Sequence, residues 1–310
     1  MSTMTSAATS EPVLFESGHV EQVHDVQFDY YGRRLATCSS DRTIKVFDTA
    51  GEHTVELSHL IGHEGPVWQV TWAHPKFGSL LASCSLDHKV IIWKETQEAQ
   101  WVQAYCSPVH TASVNGVAFA PHELGLMLAA ASSDGTISVL TYQAGQGWGS
   151  SKIPNAHPLG ATAVSWAPAA PAGSLIAAKG PGQPESRFAS SGADNTVKIW
   201  RYAQKSGEWQ QDGPTLVGHT DWVRDVAWAP SLGLPKSMIA SAGQDGKVLI
   251  WTESRDTPGQ WTPTLLQDFK APVWRVSWSI TGGTLAVSDS QGSVTLWKEG
   301  LDGHWQQLSS

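Results

Sequence analysis

An all-β propeller of six blades is the fold this sequence predicts, on three observations. A block of residues recurs six times along the 310-residue chain, at intervals of roughly 45 to 60. Each copy holds short alternating apolar runs separated by turn residues, the signature of strands rather than helices. Tryptophan, 16 residues in all, falls almost wholly into fixed columns of the repeat.

The fifth copy shows the unit most fully. Gly218-His219-Thr220-Asp221-Trp222-Val223 opens it and Val226-Ala227-Trp228 closes a first strand; Ala240-Ser241-Ala242-Gly243-Gln244-Asp245-Gly246 leads through a turn to Val248-Leu249-Ile250-Trp251. Gly-His at one end and Trp at the other mark WD-repeat blades. First strands end at Phe28, Trp72, Phe119, Trp166, Trp228 and Trp278; third strands end at Phe47, Trp93, Leu140, Trp200, Trp251 and Trp297. Six residues before each third-strand end stands Asp41, Asp87, Asp134, Asp194, Asp245 or Gln291, placed to close a tight turn. Fourth strands are marked by Val55, Trp101, Trp148, Trp209, Trp261 and Trp305, and rings in register suit the wedges between stacked sheets. Blades are expected over 19–60, 63–107, 110–154, 157–216, 219–266 and 269–308, within one domain over 13–308 that follows a disordered stretch 1–12. Residues 169–186, rich in Ala, Pro, Gly and Ser, read as a flexible loop in blade four, with a neutral insertion and a regulatory element both open.

Composition narrows the function. A formal net charge of −8 with no Lys/Arg cluster argues against direct binding of nucleic acid. No apolar run approaches the ~20 residues that span a bilayer, so no membrane-crossing segment is expected, and no secretory signal is visible at Met1 to Ser10. Cys38 and Cys84 occupy the same place in consecutive repeats, which makes them structural copies rather than a disulfide pair, and the sparse odd count fits a reducing compartment. His59 and His63 straddle a glycine turn instead of sharing a helix face, so zinc is not expected, and no other cofactor is implied.

Blades two, four and five each contain a His, a Ser, an Asp and a Trp: His63, Ser83, Asp87 and Trp93; His157, Ser190, Asp194 and Trp200; His219, Ser241, Asp245 and Trp251. The trio resembles a hydrolase triad, but an enzyme needs one activated nucleophile in one pocket, and this set is spread around a ring. An indole N–H, a hydroxyl, an imidazole and a carboxylate can instead satisfy one another and staple turn to strand. No catalytic residue is therefore expected. Blade six departs from the pattern with Phe269, Val287 and Gln291 in the His, hydroxyl and Asp positions. Drift in a terminal repeat and an unusual neighbour are both open explanations. Trp68, Trp222 and Trp274 lie outside the Trp columns, and with Arg224 they are candidates for surface contact.

Every blade has four strands of its own, because His304-Trp305-Gln306-Gln307-Leu308 fills the last slot. That leaves Val13-Leu14-Phe15 unassigned, either as a clasp or as an unpaired scrap. A ring without a clasp exposes strand edges and apolar faces, which strands from another chain could cover. The slot would lie between blade one (Val23, Val26, Phe28, Leu35) and blade six (Val273, Val276, Leu285, Val294).

Specific strings then carry a resemblance. His24-Asp25-Val26 with Asp29-Tyr30-Tyr31-Gly32-Arg33-Arg34-Leu35-Ala36-Thr37-Cys38-Ser39-Ser40-Asp41, and Gly62-His63-Glu64-Gly65-Pro66-Val67-Trp68 followed by Trp72-Ala73-His74-Pro75-Lys76-Phe77-Gly78, resemble the family of small WD-repeat subunits of the COPII vesicle coat. Asp221-Trp222-Val223-Arg224-Asp225-Val226-Ala227-Trp228 and Val294-Thr295-Leu296-Trp297-Lys298-Glu299 do likewise, so the likeness covers residues 19–308. It implies a non-enzymatic scaffold whose open six-bladed ring is completed by a seventh blade from an α-helical-solenoid partner. That partner would be a coat subunit on the cytoplasmic face of the endoplasmic reticulum and COPII vesicles, or a related nucleoporin in the Y-shaped outer ring of the nuclear pore. A place in a vacuole-membrane signalling complex is a further implication, and membrane association would be indirect, through the coat or pore. The longer N-terminus and the blade-four loop depart from the family pattern. The alternative is another WD-repeat adaptor, such as a ubiquitin-ligase substrate receptor that reads peptides on its top face.

Overall fold

The computed structural model describes residues 15–51, 53–170, 185–230, 236–254, 256–300 and 302–308. The expected disordered stretch 1–12, Val13 and Leu14 of the candidate clasp, and most of the blade-four loop lie outside them. Blade one holds β1 (Val23–Phe28), β2 (Arg34–Ser39), β3 (Thr43–Asp48) and β4 (Val55–Ile61). Blade two holds β5 (Val67–Trp72), β6 (Leu80–Ser85), β7 (Val90–Gln97) and β8 (Gln100–Ser107). Blade three holds β9 (Val114–Phe119), β10 (Met127–Ser132), β11 (Ile137–Gln143) and β12 (Gly147–Ile153). Blade four holds β13 (Ala161–Trp166), β14 (Arg187–Gly192), β15 (Thr196–Ala203) and a broken outer strand, β16 (Glu208–Gln211) and β17 (Leu216–Val217). Blade five holds β18 (Val223–Trp228), β19 (Lys236–Gly243), β20 (Lys247–Ser254) and β21 (Trp261–Asp268), and blade six β22 (Val273–Trp278), β23 (Thr284–Asp289), β24 (Val294–Glu299) and β25 (Trp305–Leu308).

Each blade is an antiparallel meander paired in sequence order, and the chain forms six such sheets among the described residues. The first strands pack in succession, β1 on β5, β5 on β9, β9 on β13, β13 on β18 and β18 on β22, which makes the fold an all-β six-bladed WD-repeat propeller. The tight turns into the third strands explain the Asp column. The carboxylate of Asp87, for example, accepts the N–H groups of Lys89 at 2.9 Å and Glu64 at 3.0 Å. The residue closing each turn has positive φ: Gly135, Gly246 and Gly292 adopt it freely, Asn195 with little strain, while Arg42 and His88 carry it at a cost of about 1 kcal/mol each.

The core lies between blades. Val70, Leu81, Ile91 and Trp93 of blade two close on Ala36, Cys38, Ile44 and Val46 of blade one. Polar staples tighten the same junctions: Asp25 accepts the Val70 N–H at 3.2 Å, Gln69 the Val117 N–H at 2.8 Å and Asp225 the Val276 N–H at 3.0 Å. The first-strand indoles of Trp72, Trp166 and Trp278 donate to Gln27, Ala118 and Ala227 carbonyls of the preceding blade. The fourth-strand rings pack at their edges on first-strand rings of their own blade, as in Trp72–Trp101, Trp166–Trp209, Trp228–Trp261 and Trp278–Trp305. Cys38 and Cys84 are buried free thiols that burial pushes above the ordinary thiol range.

Candidate partner-binding seam

The Ser-His-Asp sets of blades two, four and five each lie within a single sheet. In blade two the His63 ring spans Asp87 at 2.8 Å and Ser83 at 2.8 Å, and the Trp93 indole donates to Ser83 at 2.9 Å. Blade four repeats this with His157, Asp194, Ser190 and Trp200 at 2.7 to 2.9 Å, and blade five with His219, Asp245, Ser241 and Trp251 at 2.8 to 3.2 Å. Because the indole N–H occupies the Ser190 oxygen, the Ser190 hydroxyl proton is directed to His157 Nε2, and His157 Nδ1–H donates to Asp194. The nucleophile position is thus occupied on both sides in a buried setting, an arrangement suited to stapling rather than to attack on a substrate. Gly243 carries no side chain because a Cβ there would collide with the His219 ring.

The imperfect blades keep parts of this chain by substitution. Blade one uses His19, Asp41 and Thr37 without an indole. Blade three has Ala130 in the hydroxyl position, and Ser138, on the neighbouring strand, meets His110 at 2.8 Å instead. Sequence columns missed Ser138; its polar side chain in an otherwise apolar third strand was the available signal. In blade six the Trp297 indole turns to Thr295 at 2.9 Å, and Phe269 packs on its ring edge.

Burial pushes the Asp87 carboxyl up, but the hydrogen bond and charge of His63 and the Glu64 and Lys89 N–H groups outweigh it and hold Asp87 at about 2. Burial lowers the His157 pKa against the pull of Asp194. Both effects act in one direction. A histidine lowered in the fold leaves the unfolded chain binding the extra proton, so stability falls as pH drops below about 6.5. The depressed carboxylates then withdraw their contribution as pH falls from about 4 toward 2. Thermal melts across this range should show a first decline below pH 6.5 and a steeper one below pH 4; a flat profile from pH 7 to 5 would contradict neutral buried histidines. Replacing Ser190 by Ala strands two buried groups, the Trp200 N–H and His157 Nε2. At roughly 1–3 kcal/mol each, the variant should melt several degrees lower. Thr37→Ala, which strands one group, should cost about half as much.

The ring differs at one place, between blade six and blade one. Facing pairs show it. Val70, Val117, Val164, Val226 and Val276 of the first strands are at most 7% exposed, whereas Val26 is 49% exposed and Phe28, two residues on, 59%. On third strands the ten residues from Ile44 and Val46 to Val248 and Ile250 are at most 1% exposed, whereas Val294 and Leu296 are 67% and 45% exposed. Leu308, paired with Leu296 on the outer strand, is also exposed. Among the described residues no hydrogen bond or ion pair joins blade six to blade one. Ion pairs do tie Arg34 to Glu95, Arg187 to Glu253 and Lys236 to Glu299 across three other junctions.

The eight slot residues divide accordingly. Val26, Phe28 and Val294 stand open at the seam and Val23 is half-buried. Val273, Val276 and Leu285 do not border it: they face the other way, in the core between blades five and six with Ala240, Val248 and Ile250. Strand alternation is the reason, since Val276 and Leu285 share one face of the sheet and Leu296 the opposite one. Leu35 points to the seam side but is buried beside Phe47, onto which Phe15 packs at 5.2 Å. Phe15 of the candidate clasp thus covers blade one. Leu296 and Leu308 were legible only once strand parity in blade six was known. Of the four surface candidates, Trp222 and Trp274 are about half exposed and Arg224 lies between them. Trp68 is partly buried, with its N–H on Ser113 at 2.9 Å and its ring on His24.

Comparison with known proteins places this architecture. The family "WD domain, G-beta repeat" matches residues 10–48, 54–94, 102–139, 152–201 and 211–252, short of the irregular sixth blade. "Protein transport protein SEC13" of Mycosarcoma maydis is 45% identical over 100% of this chain and 99% of its own length. The chain belongs to the Sec13 family. "Protein transport protein sec13" of Emericella nidulans is 49% identical over 96% of this chain and 97% of its own. The Drosophila melanogaster "Protein SEC13 homolog" is 47% identical over 95% and 82%. The Sec13 family is a non-enzymatic WD-repeat family, in keeping with Ser-His-Asp sets that each serve their own blade.

Proposed function

We propose that this chain is a protein-transport scaffold whose ring is open between blades six and one and is completed by a β-blade from a partner with an α-helical solenoid. The observation that carries this reading is the exposure of Val26 on one side of the seam and of Val294 and Leu296 on the other, at register positions buried in every other blade, with Phe28 standing exposed beside Val26. Covering the exposed parts of these side chains and Leu308 is worth on the order of 5 kcal/mol. A strand laid along β25 would add main-chain hydrogen bonds, the β-augmentation mode. Relatives named as protein transport proteins support a place in a vesicle coat such as the COPII outer cage at the endoplasmic reticulum. By the same geometry a solenoid nucleoporin of the nuclear pore outer ring, or a solenoid subunit of a vacuole-membrane complex, would enter the same slot. The test is co-expression with strand-bearing solenoid fragments of coat subunits and nucleoporins, followed by gel filtration. Co-elution and a melting temperature raised by several degrees are expected. Failure of every such fragment to co-elute, or a chain that melts identically alone and in mixture, overturns the open ring.

A further inference from the structure

The six first strands share a device. Each carries a β-bulge at its second residue, and the bulge turns one side chain per blade onto the same rim: His24, Trp68, Asn115, Thr162, Arg224 and Trp274. In the early blades these side chains are consumed by neighbours. His24 packs on Trp68, Trp68 donates to Ser113, Asn115 donates to the Ala161 carbonyl at 2.8 Å, and Thr162 to the Val223 carbonyl at 2.6 Å. At the junction of blades five and six the pattern changes. The Arg224 guanidinium lies 4.5 Å from the centre of the Trp274 ring and 5.6 Å from that of Trp222, so two half-exposed indoles flank one cation. Gln244 accepts from Arg224 Nε at 2.8 Å and fixes the plane of the fork. Among the described residues, neither Nη of Arg224 nor the indole N–H of Trp222 or Trp274 has a hydrogen-bond partner. Asp221, whose charge acts on Arg224, accepts the Trp222 backbone N–H at 2.7 Å and makes no ion pair with the guanidinium. Burial lowers the Arg224 pKa from its very high ordinary value and the Asp221 charge acts against that fall, and an arginine stays charged at physiological pH.

We propose that Trp222, Arg224 and Trp274 form a second binding site, on the rim of blades five and six, for the carboxylate side chains of an acidic peptide. The chemistry is complementary in three ways. The free Nη pair offers a fork matched to a carboxylate, the indole N–H groups add donors without adding acceptors, and the ring faces hold the cation and cover the methylenes of a Glu side chain. Trp and Arg are also the side chains most often found carrying binding energy in interfaces. The site is independent of the seam: its residues lie on β22 and at β18, not on the faces of β1 or β24 that border the slot.

The test uses the full chain with ¹⁵N-labelled indoles and two capped hexapeptides, one of glutamates and one of glutamines. The glutamate peptide is expected to shift the indole N–H signals of Trp222 and Trp274 with millimolar or tighter affinity, while Trp93, Trp200 and Trp251 stay fixed and the glutamine peptide does nothing. Arg224→Gln should abolish the shifts, Arg224→Lys weaken binding about tenfold, and the distant Lys152→Gln leave it unchanged; melting curves of each variant establish that it is folded. Should Arg224→Gln unfold the chain, Trp274→Ala serves as the second variant and should weaken binding by the same order. Equal binding of the two peptides, loss of binding in Lys152→Gln, or no shift with millimolar glutamate peptide overturns the proposal.

Discussion

Val294→Asp with Leu296→Asp is expected to weaken partner binding at least 100-fold while the chain alone melts within a few degrees of the parent. Both side chains lie on the open face of β24, at 67% and 45% exposure, so charge there stays hydrated in the free protein. In the complex the same charges would be buried without counter-ions, which costs several kcal/mol each, and 100-fold is only about 2.7 kcal/mol. The control is the same substitution one blade earlier. Val248 and Ile250 occupy the matching register of β20 and are 0% and 1% exposed. Val248→Asp with Ile250→Asp should therefore not fold. Gel filtration with a solenoid fragment and thermal melts read both outcomes. A seam variant that unfolds like the blade-five variant, or one that binds the fragment normally, would sink the seam as a docking slot.

Arg275→Ala is expected to be the most destabilising single substitution of a charged residue in the chain, at about 3–5 kcal/mol. The third residue of each first strand looks inward, and in blades one, two and five it is an acceptor that holds the next blade: Asp25, Gln69 and Asp225. In blade six it is Arg275, which has no acceptor to offer. Burial opposes its charge, and the Asp225 and Asp25 carboxylates outweigh burial and push the Arg275 pKa above its ordinary value. In turn burial raises both carboxyls, and Arg275 works against that rise. Asp25 is partly accessible to solvent, although protein surrounds it on most sides, so Asp225 should dominate the loss. Removing the guanidinium leaves burial opposed only by the hydrogen bonds that the two carboxylates accept. A carboxyl raised in the fold keeps its proton in the native state at pH values where the unfolded chain has lost it, so stability rises as pH falls through that window. The deficit of Arg275→Ala should accordingly shrink from pH 7 toward pH 5, and adding Asp225→Asn should restore part of the melting temperature. A variant as stable as the parent, or a deficit that grows on acidification, would show that the three groups do not act together. No hydrogen bond or ion pair links blades six and one among the described residues, and the charge attraction between Arg275 and Asp25 acts across that junction.

Much of this was readable in the linear chain because its signals are local. The Asp at five of the six turns, the Trp at four of the six third-strand ends and the His four residues before five of the six first strands are set by contacts within one four-stranded sheet, and one blade largely predicts the next. The hydrogen-bonded sets of blades two, four and five follow from such columns. What the columns hid was substitution across strands: Ser138 for Ala130, and Thr295 for the hydroxyl missing at Val287. A column alignment compares like positions, and these replacements come from the adjacent strand.

The repeat alone determined an all-β propeller with six four-stranded units, and it accounted for most Trp residues, and for the His and Asp of each Ser-His-Asp set, as structure rather than chemistry. Only the tertiary structure decided which apolar residues of the end blades are spare. A valine at a given register reads the same in every copy, whether or not another blade covers it. Val276 and Val26 occupy one column, yet one is sealed against blade five and the other stands open, because burial belongs to the neighbour across the junction and not to the strand that carries the residue.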